Sequence, residues 1–351
     1  MSLKKIRRWI QEERPYLWCV IFLILLHSTF SILNAFTGSL KKETPHSEKG
    51  SLFEEERWLT ALKENESLQF LFGVSTLFVL LLLCLGLLLT VLFLVQKSQG
   101  KFVVPWRPPD PEILWGLRDV FHVIVLLVFF SYLIEFFEAL FVFFATDGVS
   151  ESVRMLGTTL VSEAIVLFLI FRLVRVEKKQ SLAHLGLSTK AFGKNLFFGL
   201  TGYATLLPAL LFSLIISLWL AALFKIAPPQ QPLYDLFTKE SSREIFLFGL
   251  LLVTVVGPAI EEIFFRGFLY NALKAKWGKG WAILSSGLLF AVLHANLVGF
   301  LPIAFLGCAL AYGYELTGSL VTSITIHVVH NSVVMAIFLL THHLSQLFGA
   351  V

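Results

Sequence analysis

The sequence predicts an all-α fold, a polytopic transmembrane helical bundle of about nine spans, and three observations carry that reading. Of the 351 residues, 56% are hydrophobic and 15% charged, whereas soluble domains carry about 25% charged residues. The apolar residues, 35 phenylalanines among them, fall in continuous runs of the roughly 20 residues that a helix needs to cross a bilayer. Transmembrane β-strands would alternate over short segments instead. The formal net charge of +4 is spread over loop edges, where it reports orientation rather than nucleic-acid binding. Cys19, Cys84 and Cys308 lie inside apolar runs without paired spacing, which implies neither a disulfide framework nor a zinc site.

The elements follow in order. Lys4, Lys5, Arg7, Arg8 and Arg14 precede an apolar run over 17–36, too long for a typical cleaved signal core and so expected to be a retained span. A polar loop leads to a second span near 70–95, followed by a basic linker containing the stiff Trp106-Arg107-Pro108-Pro109-Asp110-Pro111 segment. The third span, near 120–145, contains Glu135 and Glu138, and the fourth, near 156–174, contains Glu163. A second basic linker over 175–194 precedes a fifth span near 196–224, and Pro228-Pro229-Gln230-Gln231-Pro232 opens the next loop. An apolar run over 245–273 then reaches a turn marked by Lys274, Lys276, Gly278 and Lys279. The next span ends near His294, another covers 300–316, and Thr317-Gly318-Ser319 turns the chain into a last span through Leu340. The basic segments fall on alternate sides of this layout, so the N-terminus is expected in the cytoplasm, at the plasma (inner) membrane if the source is prokaryotic. Motif content separates an N-terminal transmembrane region, 1–194, from a core over 195–351 whose last four spans carry the candidate chemistry.

Glu261, Glu262 and Arg266 lie inside the 245–273 run. A charge at membrane depth costs several kcal/mol, so such residues usually face a cavity or a partner and mark function. On a helix Glu262 and Arg266 are four apart with the acid N-terminal, the favourable order for an ion pair. Glu261 is turned about 100° away, which leaves it free for chemistry. Pro258 lacks a backbone donor and frees the Thr254 carbonyl, so a kink or widened turn is expected before the acids. Glu261 lies 16 residues before Trp277 and His294 lies 17 after it. In an antiparallel hairpin the two therefore share nearly one depth. His327 and Asn331 are four apart, hence on one face of the last helix. A carboxylate beside a histidine can hold and deprotonate a water, and two convergent donors can stabilise the oxyanion that forms when the water attacks a carbonyl.

Glu-Glu-x-x-x-Arg (Glu261, Glu262, Arg266), Phe-x-x-x-His (Phe290, His294) and His-x-x-x-Asn (His327, Asn331) resemble the three motifs of the CAAX protease and bacteriocin-processing family, which includes the type II CAAX prenyl endopeptidases. The resemblance covers roughly residues 195–335. It implies an intramembrane glutamic-type endopeptidase in which Glu261 and His294 activate water, His327 and Asn331 form the oxyanion hole, and Glu262 and Arg266 hold the frame. The implied partners are a protein or peptide substrate, prenylated or membrane-embedded, and the lipid bilayer. No nucleic acid is expected.

Two other function classes compete. Glu135, Glu138 and Glu163 suit a proton-coupled transporter, against which the chain shows no internal repeat. A non-catalytic membrane scaffold or immunity protein would keep the fold, but all six candidate site residues, Glu261, Glu262, Arg266, His294, His327 and Asn331, are present. No cofactor is expected. The rival is zinc held by Glu261, His294 and His327, but Asn331 suits an oxyanion donor better than a zinc shell.

Overall fold

The structure is a computed structural model that describes residues 15–16, 18–22, 66–102, 104–108, 110–144, 149–226, 236–238, 240 and 242–347. The expected first span over 17–36 and the Pro228–Pro232 loop fall almost wholly or wholly outside these residues. The described chain is helical, with no strand. Its long helices are α1 (Glu66–Ser98), α2 (Leu117–Phe144), α3 (Glu151–Phe171), α4 (Phe192–Phe224), α5 (Arg243–Leu251), α6 (Gly257–Glu262), α7 (Asn271–Leu293), α8 (Phe300–Thr317) and α9 (Leu320–Leu347). Among the described residues six helical stretches are long and apolar enough to cross a membrane. One of them, Arg243–Leu293, contains a break in the helix at Gly278, whose φ of +76° is open only to residues without a Cβ penalty. The break falls where the basic turn was expected. The fourth expected span is the 21-residue α3, which is not among the six.

Packing divides the chain into two compact units, residues 1–52 with 118–169, and residues 53–117 with 170–351. In the first, Arg154 pairs with Glu138 at 3.9 Å and Tyr16 stacks on His122 with ring centroids 3.7 Å apart. The second holds the whole of 195–351. There α4 lies against α1, α8 and α9, and α7 packs along α8. Tyr203, Leu210, Leu306, Leu310 and Ile326 form the buried seam between α4, α8 and α9.

The approach of α7 to α8 is set by two glycines. A Cβ on Gly287 would stand 2.6 Å from the Cys308 amide nitrogen, and one on Gly307 would stand 2.8 Å from the Gly287 Cα. Small residues at such a crossing let helices meet backbone to backbone, which matters in lipid because tails are as apolar as side chains. At the end of the second unit that holds the basic linkers, Lys274 bridges Asp110 (3.0 Å) and Glu315 (2.7 Å). Arg107 bridges the same two acids at 2.6 and 3.3 Å. These residues and His184, Asn271 and Tyr314 border a cavity of about 210 Å³.

The helix that carries the two acids is not a regular α-helix. Between α5 and α6 the segment Leu252–Val256 is π-helical, and between α6 and α7 so is Ile263–Tyr270. The widened turn expected from Pro258 is therefore present, just before the proline. Its register differs from expectation: Gly257 N–H bonds the Leu252 carbonyl, five residues back. In that register the carbonyl that Pro258 leaves without a partner is that of Val253, not Thr254. Nothing in Ile263–Tyr270 announces the second π segment. Side chains reach into both segments: Asn331 Nδ2 donates to Val253 O at 3.1 Å, Asn271 Nδ2 to Gly267 O at 2.7 Å and Trp115 Nε1 to Phe268 O at 3.0 Å. Irregular backbone at membrane depth persists where neighbours satisfy it in this way.

Candidate active site

The site is assembled on the irregular helix, the end of α7 and the first half of α9. Glu262 is fully buried, and its Oε1 accepts from Arg266 Nη1 at 2.6 Å. Arg266, also fully buried, donates from Nη2 to the Gly307 carbonyl at 3.0 Å, and its guanidinium lies 4.6 Å from the Phe290 ring centre. Glu262 and Arg266 thus form the ion pair expected from their spacing. A buried pair costs least when its remaining groups find partners; Arg266 finds a backbone carbonyl and an aromatic face, whereas its Nε and Glu262 Oε2 have no hydrogen-bond partner among the described residues. The close approach of Gly287 and Gly307 brings that carbonyl within reach.

Glu261 has different surroundings. Its side chain is 41% exposed where that of Glu262 is 0%. Its Oε2 is turned inward and has no hydrogen-bond partner among the described residues. His327 stands between the two acids. Its Nδ1 lies 3.0 Å from Glu262 Oε1, and its Nε2 lies 3.8 Å from Glu261 Oε2. As the carboxylate partner of Arg266, Glu262 accepts, so with His327 Nδ1 as the donor to it Nε2 is the nitrogen turned to Glu261.

His294 ends α7. Its Nδ1 is 2.7 Å from the Phe290 carbonyl, again an acceptor only, so Nδ1 donates and Nε2 is left for other partners. His294 is exposed, and its ring centroid lies 4.4 Å from that of Phe290. The Phe290 ring also meets His327 edge-on at 5.5 Å and Phe265 at 5.0 Å. The Phe265–Phe290 contact has the hairpin register that sets Glu261 level with His294. Asn331, half-buried, uses one amide N–H on the Val253 carbonyl and has a second to give. The structure therefore gathers Glu262, Arg266 and His327 in direct contact, sets Glu261 beside His327, and ties His294 to His327 through Phe290. It joins Asn331 to the chain just before Pro258.

Phe290, Gly307 and Val253 were not singled out from sequence as groups that contact the site. Phe290 was visible as the first residue of Phe-x-x-x-His. Gly307 and the Val253 carbonyl act through their backbones and leave no side-chain signal. The carboxylates proposed for a transporter belong to the first unit, where Glu138 pairs with Arg154 and Glu135 is exposed. Among the described residues no three His, Cys, Asp or Glu side chains are grouped so as to hold a metal.

Residues 243–333 match the family model described as type II CAAX prenyl endopeptidase Rce1-like, and this segment contains all seven motif residues. Over 86 residues the chain is 31% identical to YdiL of Bacillus subtilis (strain 168), which is named as a candidate membrane peptidase. That alignment covers 24% of this chain and 35% of YdiL, so the chain spans about a third of the length of the curated relative it matches. No solved structure gives a significant match.

Proposed function

We propose that the protein is an intramembrane endopeptidase that cleaves a peptide bond with water activated at Glu261. The observation that carries this is the unbonded, inward-facing Glu261 Oε2 beside His327 Nε2, next to a second glutamate already neutralised by Arg266. Two polar atoms 3.8 Å apart can both bond one water. Glu261, with His294 at the same level of the hairpin, takes a proton from that water as its oxygen attacks the scissile carbonyl. The negative charge that forms on the carbonyl oxygen is met by donors from His327 and Asn331. In this reading the His327 ring enters the step already protonated at Nε2 as well as at Nδ1 and keeps both protons throughout, so that the proton moved is the one Glu261 takes from water. The C–N bond then breaks as the proton held at Glu261 passes to the leaving nitrogen, giving an amine and a carboxylic acid, and the acid's remaining proton is released to the amine to leave a carboxylate. Glu262 and Arg266 keep His327 aimed and take no part in the proton transfer.

The substrate is a protein or peptide reached from the membrane, with prenylation of its C-terminal cysteine as the feature to test first. In this reading no metal enters the reaction, and the protein sits in the plasma membrane with the Lys274–Lys279 turn in the cytoplasm. The decisive comparison is of purified wild-type and Glu261→Gln protein on a quenched fluorescent peptide, with and without a farnesylated cysteine. Glu261→Gln is expected to lose turnover at an unchanged yield of folded protein. Exhaustive chelation should leave wild-type turnover intact. Turnover by Glu261→Gln, or loss on chelation restored by zinc, would overturn the mechanism. For the orientation, a cysteine placed at Gly278 should react with an impermeant reagent only after permeabilisation.

A further inference from the structure

We infer that Asn331 replaces the backbone donor that Pro258 lacks, and that this pairing fixes the turn from which Glu261 is presented. Gly257 N–H is used on the Leu252 carbonyl, five residues back. The next donor in the same register would be residue 258, aimed at Val253. Residue 258 is proline and has no N–H. A carbonyl left unpaired away from bulk water is costly. Asn331 Nδ2 meets the Val253 carbonyl at 3.1 Å from α9, 78 positions further along the chain.

The pairing has a geometric consequence for the acids. Pro258 and Gly257 are both buried, and Glu261 follows the proline by less than one turn. The direction of the Glu261 side chain is therefore set by how far the helix opens at Leu252–Val256. Without a donor at Val253, that carbonyl can regain a partner only by rotating the turn. His327 lies one turn before Asn331 on α9. One helix thus holds both the histidine facing Glu261 and the amide that fixes the backbone ahead of Glu261. Asn331 is in this sense a positioning residue, in addition to any donor its second N–H supplies. The other π segment is supported in the same manner by Asn271 and Trp115.

The pairing predicts a rescue. Pro258→Ala restores an N–H at residue 258, which can serve Val253 from within the helix. Asn331→Ala alone is expected to lower the melting temperature of the detergent-purified full chain by about 3–6 °C, the effect of one partly buried carbonyl left unpaired in a protein of this size. It should also lower turnover of the quenched peptide by about tenfold or more. Pro258→Ala alone should melt no lower than wild type. In the double variant most of the melting loss should disappear, and turnover should rise several-fold above that of Asn331→Ala. Additive melting losses in the double variant would overturn the pairing. Recovery of melting without any recovery of turnover would overturn the positioning role and leave Asn331 with its backbone pairing and its part as oxyanion donor. The positioning role rests on the peptidase reading, whereas the melting cycle does not. Absence of turnover in wild type would therefore count against that reading alone.

Discussion

Glu261 and Glu262 are neighbours in sequence with opposite surroundings, and the difference lies in the partners that the fold gives one and withholds from the other. Arg266→Ala would leave Glu262 buried without its cation. The cost of breaking such a pair is about 3–5 kcal/mol, so the variant should show a large fall in melting temperature or in folded yield. Phe290→Leu keeps the apolar volume but removes the ring that touches Arg266, His294 and His327. It should lower turnover while most of the fold survives, and a thermal melt beside the peptidase assay separates the two effects. The ion pair of Glu262 and Arg266 was legible in the sequence because four-residue spacing on one helix is a local property. The contact of His327 with Glu262 spans 65 positions. Neither the hairpin register, which relates Glu261 to His294, nor the shared face of His327 and Asn331 reaches that contact. The hydrogen bond of Asn331 to Val253 was not legible, since the sequence gives the missing donor at Pro258 but not the register that selects which carbonyl it leaves open.

At the scale of elements, the two π segments and the glycine crossing fix where the acids and the arginine point. Turns of this kind are frequent at functional sites because each widens the helix and re-aims the side chains beside it. Proline announced the first. The second, Ile263–Tyr270, contains ordinary helix-compatible residues, and its widening depends on donors from Trp115 and Asn271. The crossing of α7 and α8 leaves no space for a methyl group at Gly287. Gly287→Ala is expected to push the helices apart and draw the Gly307 carbonyl away from Arg266. It should therefore lower thermal stability and turnover together, whereas alanine at the open Gly280 position should change neither. Span positions were legible because apolar runs have a length set by the bilayer. The depth of this crossing was not, since Gly287 and Gly307 are two among 23 glycines and only the packed helices distinguish them.

Across the whole molecule, basic residues that the sequence suggested as orientation signals also have partners. Lys97 donates to the Tyr312 hydroxyl at 2.8 Å, Arg107 and Lys274 share Asp110 and Glu315, and the Gly186 carbonyl accepts from Leu320 N–H at 3.0 Å. The Asn195 carbonyl accepts from Thr322 Oγ1 at 3.2 Å. Residues 97, 107, 186 and 195 thus find their counterparts within the short stretch 312–322. During synthesis those four positions leave the ribosome more than a hundred residues before their partners exist. Through that interval the early helices wait in the membrane with their polar ends incomplete, and the last two helices close all of them at once. Chains halted after residue 300 should accordingly be cleared by quality-control proteases, whereas chains halted after residue 340 should persist. A pulse-chase of the two lengths reads the difference directly.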